Sequence, residues 1–212
     1  MDEFKTEDSA ELADIAVAAP RWNGTPSIGL AHQLNEQCIE LLFDLAANLS
    51  YQALPPFMLR NRDLWRLLDV EARRLVAAFP FVVVDLRFKD ADWWREVIGI
   101  PPMTSVDATP FSDLAVETLL FARQSAREDI VVAKAMFAMT SPVASLVASL
   151  TLQQVRAIAV GHARELRVRW ERDAEFWRDL LVACRAGDEA AMAAARRQGK
   201  LLFCGEVVPT RR

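Results

Sequence analysis

Two short strings in this sequence place carboxylates beside aromatic side chains. They cover residues 90–97 and 173–180 and read DADWWREV and DAEFWRDL. Carboxylates at matched positions can form a general acid–base pair, which is one chemistry that the strings suggest. Asp90 and Asp173 also stand where a helix would begin, and a carboxylate there accepts hydrogen bonds from free backbone N–H groups. We therefore interpret both residues as helix N-caps rather than as catalytic acids.

Histidine and cysteine, the other common side chains of catalysis and metal binding, are few and scattered. No Cys-x-x-Cys pair occurs and no cysteine stands at ligand spacing from a histidine, so the sequence predicts no zinc site. P-loop, nucleophile-elbow and zinc-protease motifs are also missing. We predict a protein that is not an enzyme and uses no cofactor or metal, with buried or idle thiols. The residues concerned are His32, His162, Cys38, Cys184 and Cys204.

Composition predicts a helical protein with a large core. Hydrophobic residues make up 52% of the 212 residues and only 7 are glycine, which favours helices. No apolar run reaches the ~18 residues that a membrane span needs, and the acidic start lacks the basic region of a signal peptide. We therefore predict a cytoplasmic protein with no membrane contact.

Charge is placed unevenly along the chain. Residues 1–30 hold six acids and two bases, which accounts for the whole net charge of -4. We interpret this region as an acidic, flexible tail. Residues 185–212 carry six bases and three acids and are predicted to form a basic C-terminal helix and tail, with the helix at 188–198 stopped by Gly199. The neutral body between them does not by itself indicate nucleic-acid binding.

The two tryptophan strings belong to a longer internal repeat. Upstream matches occur at offsets that fall in small steps, as short insertions would produce, so the sequence predicts two tandem copies of one unit. The matched segments are 84–88 with 166–170 at an offset of 82, 70–75 with 150–155 at 80, and 41–43 with 119–121 at 78.

Each copy is predicted to contain a long helix, short helices, one strand and a last helix. The long helices are expected at 31–53 and 110–128, and period-two alternation predicts strands at 81–88 and 166–170. Residues 98–112 are interpreted as the linker.

Local signals set the predicted helix boundaries in the second copy. Ser141 before Pro142 is expected to cap one helix. Thr151 and Gln154 have the spacing of a capping box, and Gly161 is expected to end the helix that they open.

The second copy resembles the FlhD family of flagellar transcriptional regulators over about 60 residues. The resemblance rests on a leucine-rich helix, an Ala-Met-Phe signature, a Leu-Thr-Leu-x-Gln segment and an Arg-aromatic strand. These are residues 119–123, 135–137, 150–154 and 166–170. Three departures stand out: the family's strand cysteine falls at Leu166, extra residues separate Asp129 from Ala135, and the first copy has Phe57-Met58 and Val70-Glu71-Ala72 in place of the signatures.

The resemblance implies an all-α, intertwined unit that dimerises and activates transcription with a second subunit, FlhC. We expect a mainly α fold in which two FlhD-like repeats form a pseudo-dimer inside one chain, with their strands side by side across a pseudo-two-fold axis. Homo-oligomers of the chain are a further expectation. The expected divisions are the tail at 1–30, repeat A at 31–100, repeat B at 108–184 and the C-terminal region at 185–212.

The predicted function is that of a transcription regulator subunit with an FlhC-like partner; the alternative is a helical adaptor or chaperone that never touches DNA. The resemblance assigns Met136, Phe137 and His162 to partner binding, and we add Trp94 and Trp177 as candidate interface aromatics. The helix pair 142–160 can act as a helix-turn-helix. The candidate nucleic-acid contacts, made directly or within a complex, are Gln153, Arg156, Arg164, Arg167, Arg169 and Arg172.

Overall fold

The structure is a computed structural model that describes residues 26–48, 54–99 and 111–207, and within these ranges it is mainly α-helical. This confirms the predicted mainly α character of the fold. A short 3₁₀ turn, Ala163–Glu165, precedes the second strand. The elements are α1 (Pro26–Asn48), α2 (Pro56–Arg60), α3 (Arg62–Arg66), α4 (Val70–Ala77), β1 (Val84–Asp85), α5 (Ala91–Gly99), α6 (Ser112–Glu128), α7 (Ile130–Phe137), α8 (Ser141–Ser149), α9 (Leu152–Gly161), β2 (Arg167–Val168), α10 (Ala174–Ala186) and α11 (Glu189–Val207).

Side-chain caps begin the helices that carry the tryptophan strings. The Asp90 carboxylate accepts a hydrogen bond from the Trp93 N–H at 3.0 Å, and Asp173 accepts one from the Phe176 N–H at 2.9 Å. The bond from Trp93, together with the charge of Arg87, holds the pKa of Asp90 below its ordinary value. The N-cap interpretation is therefore confirmed.

Two boundary predictions in the second half have different outcomes. Thr151 and Gln154 form the predicted capping box, and α9 ends at Gly161 as expected. The prediction for Ser141 is wrong by one residue, because Thr140 occupies the cap position of α8 and no side chain accepts a bond there.

Other boundaries shift because packing overrides local signals. Helix α1 begins at Pro26, inside the predicted tail, while residues 1–25 lie outside the described part of the chain. The predicted linker is described only at its ends, which belong to α5 and to the start of α6, and residues 100–110 lie outside. The predicted strands shrink to two residues each.

The two halves of the chain repeat one order of elements. A long helix, three short helices, a strand and a further helix occur first as α1 to α5 and again as α6 to α10. Helices α4 and α9 also begin alike: the Asp69 side chain caps α4 by accepting from Ala72, and Thr151 caps α9 by accepting from Gln154. The two caps lie 82 residues apart, whereas sequence matching placed this segment at an offset of 80.

The two strands pair with each other, as predicted for segments 81–88 and 166–170. They run antiparallel, with Val84 opposite Val168 and Asp85 opposite Arg167. Every antiparallel pair of strands has local two-fold symmetry. Here the shift that exchanges the two residue pairs is 83 residues, which equals the offset between the tryptophan strings.

The turn after each strand repeats at the same offset of 83. Arg87 and Trp170 adopt positive φ values of 51° and 57°. The carbonyl of Arg87 accepts from the Asp90 N–H at 2.9 Å, and the carbonyl of Trp170 accepts from the Asp173 N–H at 2.8 Å. The same backbone turn thus leads from each strand into a capped helix.

The last helix of each half packs against the short helices of the other half. Helix α10 lies against α2, α3 and α4, and α5 lies against α8 and α9, while the long helices α1 and α6 contact each other. Trp177 of α10 has its ring 5.4 Å from that of Phe57 and 5.8 Å from that of Trp65. The Asn61 side chain also donates to the carbonyl of Ala174 at 2.9 Å. One continuous core therefore joins both halves.

Helix α11 has no counterpart in the first half and closes the core beside Phe79 and Phe81. It runs straight through Gly199, which sequence analysis expected to stop it. Gly199 is buried there, and an added Cβ would lie 2.8 Å from Cε1 of Phe79. Four residues later Phe203 stacks on Phe81 at 4.2 Å. Glycine thus permits close approach rather than ending the helix.

Replacing Gly199 with alanine is expected to lower the free energy of unfolding by about 1–2 kcal/mol, because the overpacking cost of ~1–3 kcal/mol exceeds the helix-propensity gain of ~1 kcal/mol. Gly205 in the same helix is the matched control, because a Cβ there meets nothing within 4 Å. Gly205→Ala should raise stability by roughly 0.5–1 kcal/mol. Urea unfolding of both variants would measure the change in the free energy of unfolding. Equal changes of the same sign in both variants would contradict the close approach of Gly199 to Phe79.

Two of the three thiols are buried, which agrees with the sequence interpretation. Burial raises the pKa of Cys38 to about 12, and burial raises that of Cys184 to about 11 against the opposing charge of Arg196. Because the thiolate is the nucleophile, iodoacetamide at pH 8 should alkylate the half-exposed Cys204 first. Mass spectrometry should find the buried pair modified only after denaturation; native labelling of Cys38 would contradict this.

Candidate functional site, an arginine-lined cleft

Four of the residues predicted to bind a partner lie in the core instead of at the surface. Trp94 stacks on Phe88 at 6.0 Å, and the ring of Phe137 lies 5.4 Å from Phe88. Large apolar rings gain most when they are fully removed from water, and the packing of each half on the other provides that burial. The residues that have 0% exposure, and so offer no surface to a partner, are Met136, Phe137, Trp94 and Trp177.

His162 is the predicted partner residue that reaches solvent. It is half-buried and meets the Trp93 ring edge-on, with centroids 5.4 Å apart. The guanidinium of Arg87 lies 5.3 Å from the centroid of the same Trp93 ring. Trp93, rather than Trp94, is thus the member of its pair that remains partly exposed.

Arg169 was predicted to contact nucleic acid, and the structure corrects this prediction. Its side chain is 1% exposed. The guanidinium donates to the carbonyl of Val82 at 2.9 Å and to that of Phe137 at 2.6 Å, and it lies 3.6 Å from the Asp85 carboxylate. Arg169 therefore satisfies buried carbonyl groups where the two halves meet and cannot reach a phosphate.

Three other predicted nucleic-acid contacts come together at one cleft of about 690 Å³. Arg164, Arg167 and Arg172 are exposed and reach it from the segment around β2. Arg60, at the end of α2, reaches it from the first half of the chain. The cleft thus lies between the two halves, beside the paired strands.

The cleft carries an uncompensated positive charge. Its lining contains four guanidinium groups and one carboxylate, that of Glu171. Within the described ranges, the side chains of these four arginines make no hydrogen bond or ion pair, whereas Arg73 lies 2.8 Å from Glu40. Four guanidinium groups around one cleft with a single carboxylate form a favourable site for an anion, because their planar donors match carboxylate and phosphate oxygens.

The two remaining nucleic-acid candidates lie on α9 and do not line the cleft. Gln153 and Arg156 are both exposed there. Arg60 was missed by sequence analysis, because it lies in the first half, outside the resemblance, and no local pattern distinguishes it from other surface arginines. Only the crossing of α10 over α2 reveals that Arg60 shares a cleft with residues that follow it by about 100 positions.

Over the described part of the chain, no group of three or more histidine, cysteine or acidic residues is placed to hold a metal ion. No single helix in those ranges combines the length and apolarity that a membrane span requires. No family model, curated protein or solved structure matches the chain.

Proposed function

We propose that this protein is a transcription-regulating subunit of the FlhD kind that contacts DNA phosphates through the arginine-lined cleft. The observation that carries the proposal is the convergence of four unpaired arginines at one place between the halves. Arg164, Arg167 and Arg172 were candidates for this role from the sequence alone. Arginine binds phosphate oxygens through two parallel N–H donors, which fixes orientation as well as adding affinity.

The proposal includes an architecture: the two halves are tandem copies of one unit that form a dimer inside a single chain. The repeated element order, the strand register and the matched turns at Arg87 and Trp170 support it. In this arrangement Gln153 and Arg156 of α9 are the exposed side chains available to base edges. Two such residues read little sequence, so an FlhC-like partner supplies most of the specificity.

The test measures binding of a fluorescent 30-base-pair duplex to the full chain by fluorescence anisotropy at several salt concentrations. The measurement is made with the chain alone and with the chain co-expressed with an FlhC-like partner. Phosphate contacts release counterions, so the logarithm of affinity should fall with the logarithm of salt with a slope of about −0.9 per contact. Three or four contacts predict a slope of roughly −3 to −4.

A variant in which alanine replaces Arg60, Arg164, Arg167 and Arg172 should lose most of the slope. The matched control replaces four exposed arginines that do not line the cleft, Arg66, Arg127, Arg185 and Arg197, and should retain more of it. If the full chain shows no salt-dependent binding with or without the partner, the proposed DNA role is wrong.

A protein adaptor or chaperone is the second candidate, and two exposed aliphatic side chains favour it. Val70 and Leu152 are the first residues of the corresponding helices α4 and α9, and they are 53% and 57% exposed. An exposed apolar side chain at the start of both α4 and α9 suits a partner protein that contacts both halves of the chain. Pull-downs with Val70→Ser/Leu152→Ser beside the arginine variant distinguish the two functions: loss of the partner only with the first variant supports the adaptor.

A further inference from the structure

The arginine-lined cleft has an apolar floor, which contact with a phosphate backbone alone does not require. Aliphatic and aromatic side chains from both halves contribute to its lining. Those that keep some exposure include Pro55, Pro56, Phe111, Leu166 and Val168. The cleft therefore combines two kinds of surface, one suited to an anionic group and the other to an apolar body.

We propose that this cleft binds a small amphiphilic anion, a carboxylate or phosphate monoester on an aliphatic chain. The head group contacts the arginines and the chain lies on the apolar floor. The volume of about 690 Å³ falls within the ~300–1,000 Å³ typical of small-molecule sites. Such sites are mostly apolar, with a few polar groups that orient the ligand, and the lining of this cleft follows that pattern.

The head-group preference follows from the charges. Arg164, Arg167 and Arg172 of the second half and Arg60 of the first half line the cleft, with Glu171 as the single carboxylate. A net positive lining favours an anion over a neutral or cationic head of the same size. Because none of the four guanidinium groups is committed to another described residue, the anion displaces water rather than an existing ion pair.

The apolar floor sets the rest of the specificity. Burial of an aliphatic chain adds affinity with each methylene that is removed from water, and a bare inorganic anion cannot gain this contribution. Inorganic phosphate should therefore bind much more weakly than an alkyl phosphate. This inference does not depend on the proposed DNA role, because the ligand is bound by the free protein.

Isothermal titration calorimetry of the full chain tests the proposal with four probes: decanoate, decyl phosphate, decanol and inorganic phosphate, all below micelle-forming concentrations. At least one of the two anionic amphiphiles should bind 10-fold or more tightly than decanol and than inorganic phosphate. The tighter of the two identifies the head group as carboxylate or phosphate. Decanol binding as tightly as both anions, or no binding of either anion, overturns the proposal.

Variants connect the binding to the cleft. R164A/R167A removes two exposed cations and should weaken binding of the anionic amphiphile by about 10-fold or more. The affinity for decanol should not change, because decanol carries no charge. R185A/R197A removes two exposed arginines that do not line the cleft and should change nothing. Equal affinities for R164A/R167A and the unaltered chain would show that the amphiphile binds elsewhere. If the chain binds the duplex but not the amphiphiles, this inference is overturned and the proposed function is supported. If it binds the amphiphiles but not the duplex, this inference is supported and the proposed function is overturned.

Discussion

Replacing Arg169 with alanine is expected to lower the free energy of unfolding by about 3–5 kcal/mol, the cost of removing one partner from a buried charged network. The guanidinium is the donor for the carbonyls of Val82 and Phe137, and it lies beside Asp85. Alanine leaves these carbonyls without that donor and opens a cavity between the halves. Urea unfolding followed by circular dichroism measures the loss.

Arg87→Ala is the control for Arg169→Ala. Arg87 also follows a strand and precedes a capped helix, but its side chain is 41% exposed and pairs with Asp90 at 2.7 Å. Ion pairs at the surface contribute ~1 kcal/mol or less, so this variant should change stability little. Similar losses in both variants would contradict the role of Arg169 as a buried donor.

Trp177→Ala is expected to cost about 3–5 kcal/mol, the usual range for removing a large aromatic side chain from a core. Trp177 is 0% exposed, and its ring lies near Phe57 and Trp65 of the other half. Its loss removes the main aromatic contact between α10 and the first half. The same unfolding experiment applies, followed by near-ultraviolet circular dichroism of the folded variant.

Trp177→Phe separates ring packing from polar contacts. The indole Nε1 of Trp177 has no hydrogen-bond partner among the described residues, so phenylalanine gives up volume but no such bond. We expect a loss of about 1–2 kcal/mol, as for moderate changes of core shape. A loss as large as that of alanine would show that the indole N–H, rather than the ring, stabilises this junction.

Sequence reasoning predicted the features that depend on a few neighbouring residues. The caps at Asp90, Asp173 and Thr151 followed from side chains that accept backbone N–H groups, and the structure confirms them. These caps need no knowledge of the rest of the core. The pairing of segments 81–88 and 166–170 is a distant contact that was also predicted, from the internal similarity of the sequence rather than from neighbouring residues.

Other features set by distant contacts could not be predicted. Alternation along 166–170 placed Arg169 on the solvent side, but carbonyls 32 and 87 positions away draw its guanidinium inward. Gly199 ends a helix by local rules and yet continues one here, because Phe79 occupies the space beside it. Arg60 joins the cleft only because α10 crosses to the first half.

The partner-binding residues show a related limit. Met136 and Phe137 were assigned from a resemblance, which carries residue types but not their exposure. In this chain the backbone carbonyl of Met136 accepts from the Val82 N–H at 3.0 Å, so the end of α7 is tied to the first half. Arg164, Arg167 and Arg172 do lie at the surface, as charged side chains usually do, because they need no packing partner.

The exchange of last helices between the halves has a consequence for synthesis on the ribosome. Asn61 contacts Ala174, which lies 113 positions later in the chain. At roughly 5–20 residues per second, translation needs about 6–23 s to supply that partner. Phe57 and Trp65 lack the cover of α10 throughout this interval. The first half must therefore wait for the second before its core can close, and nascent chains are exposed to chaperones and to aggregation until α10 has emerged.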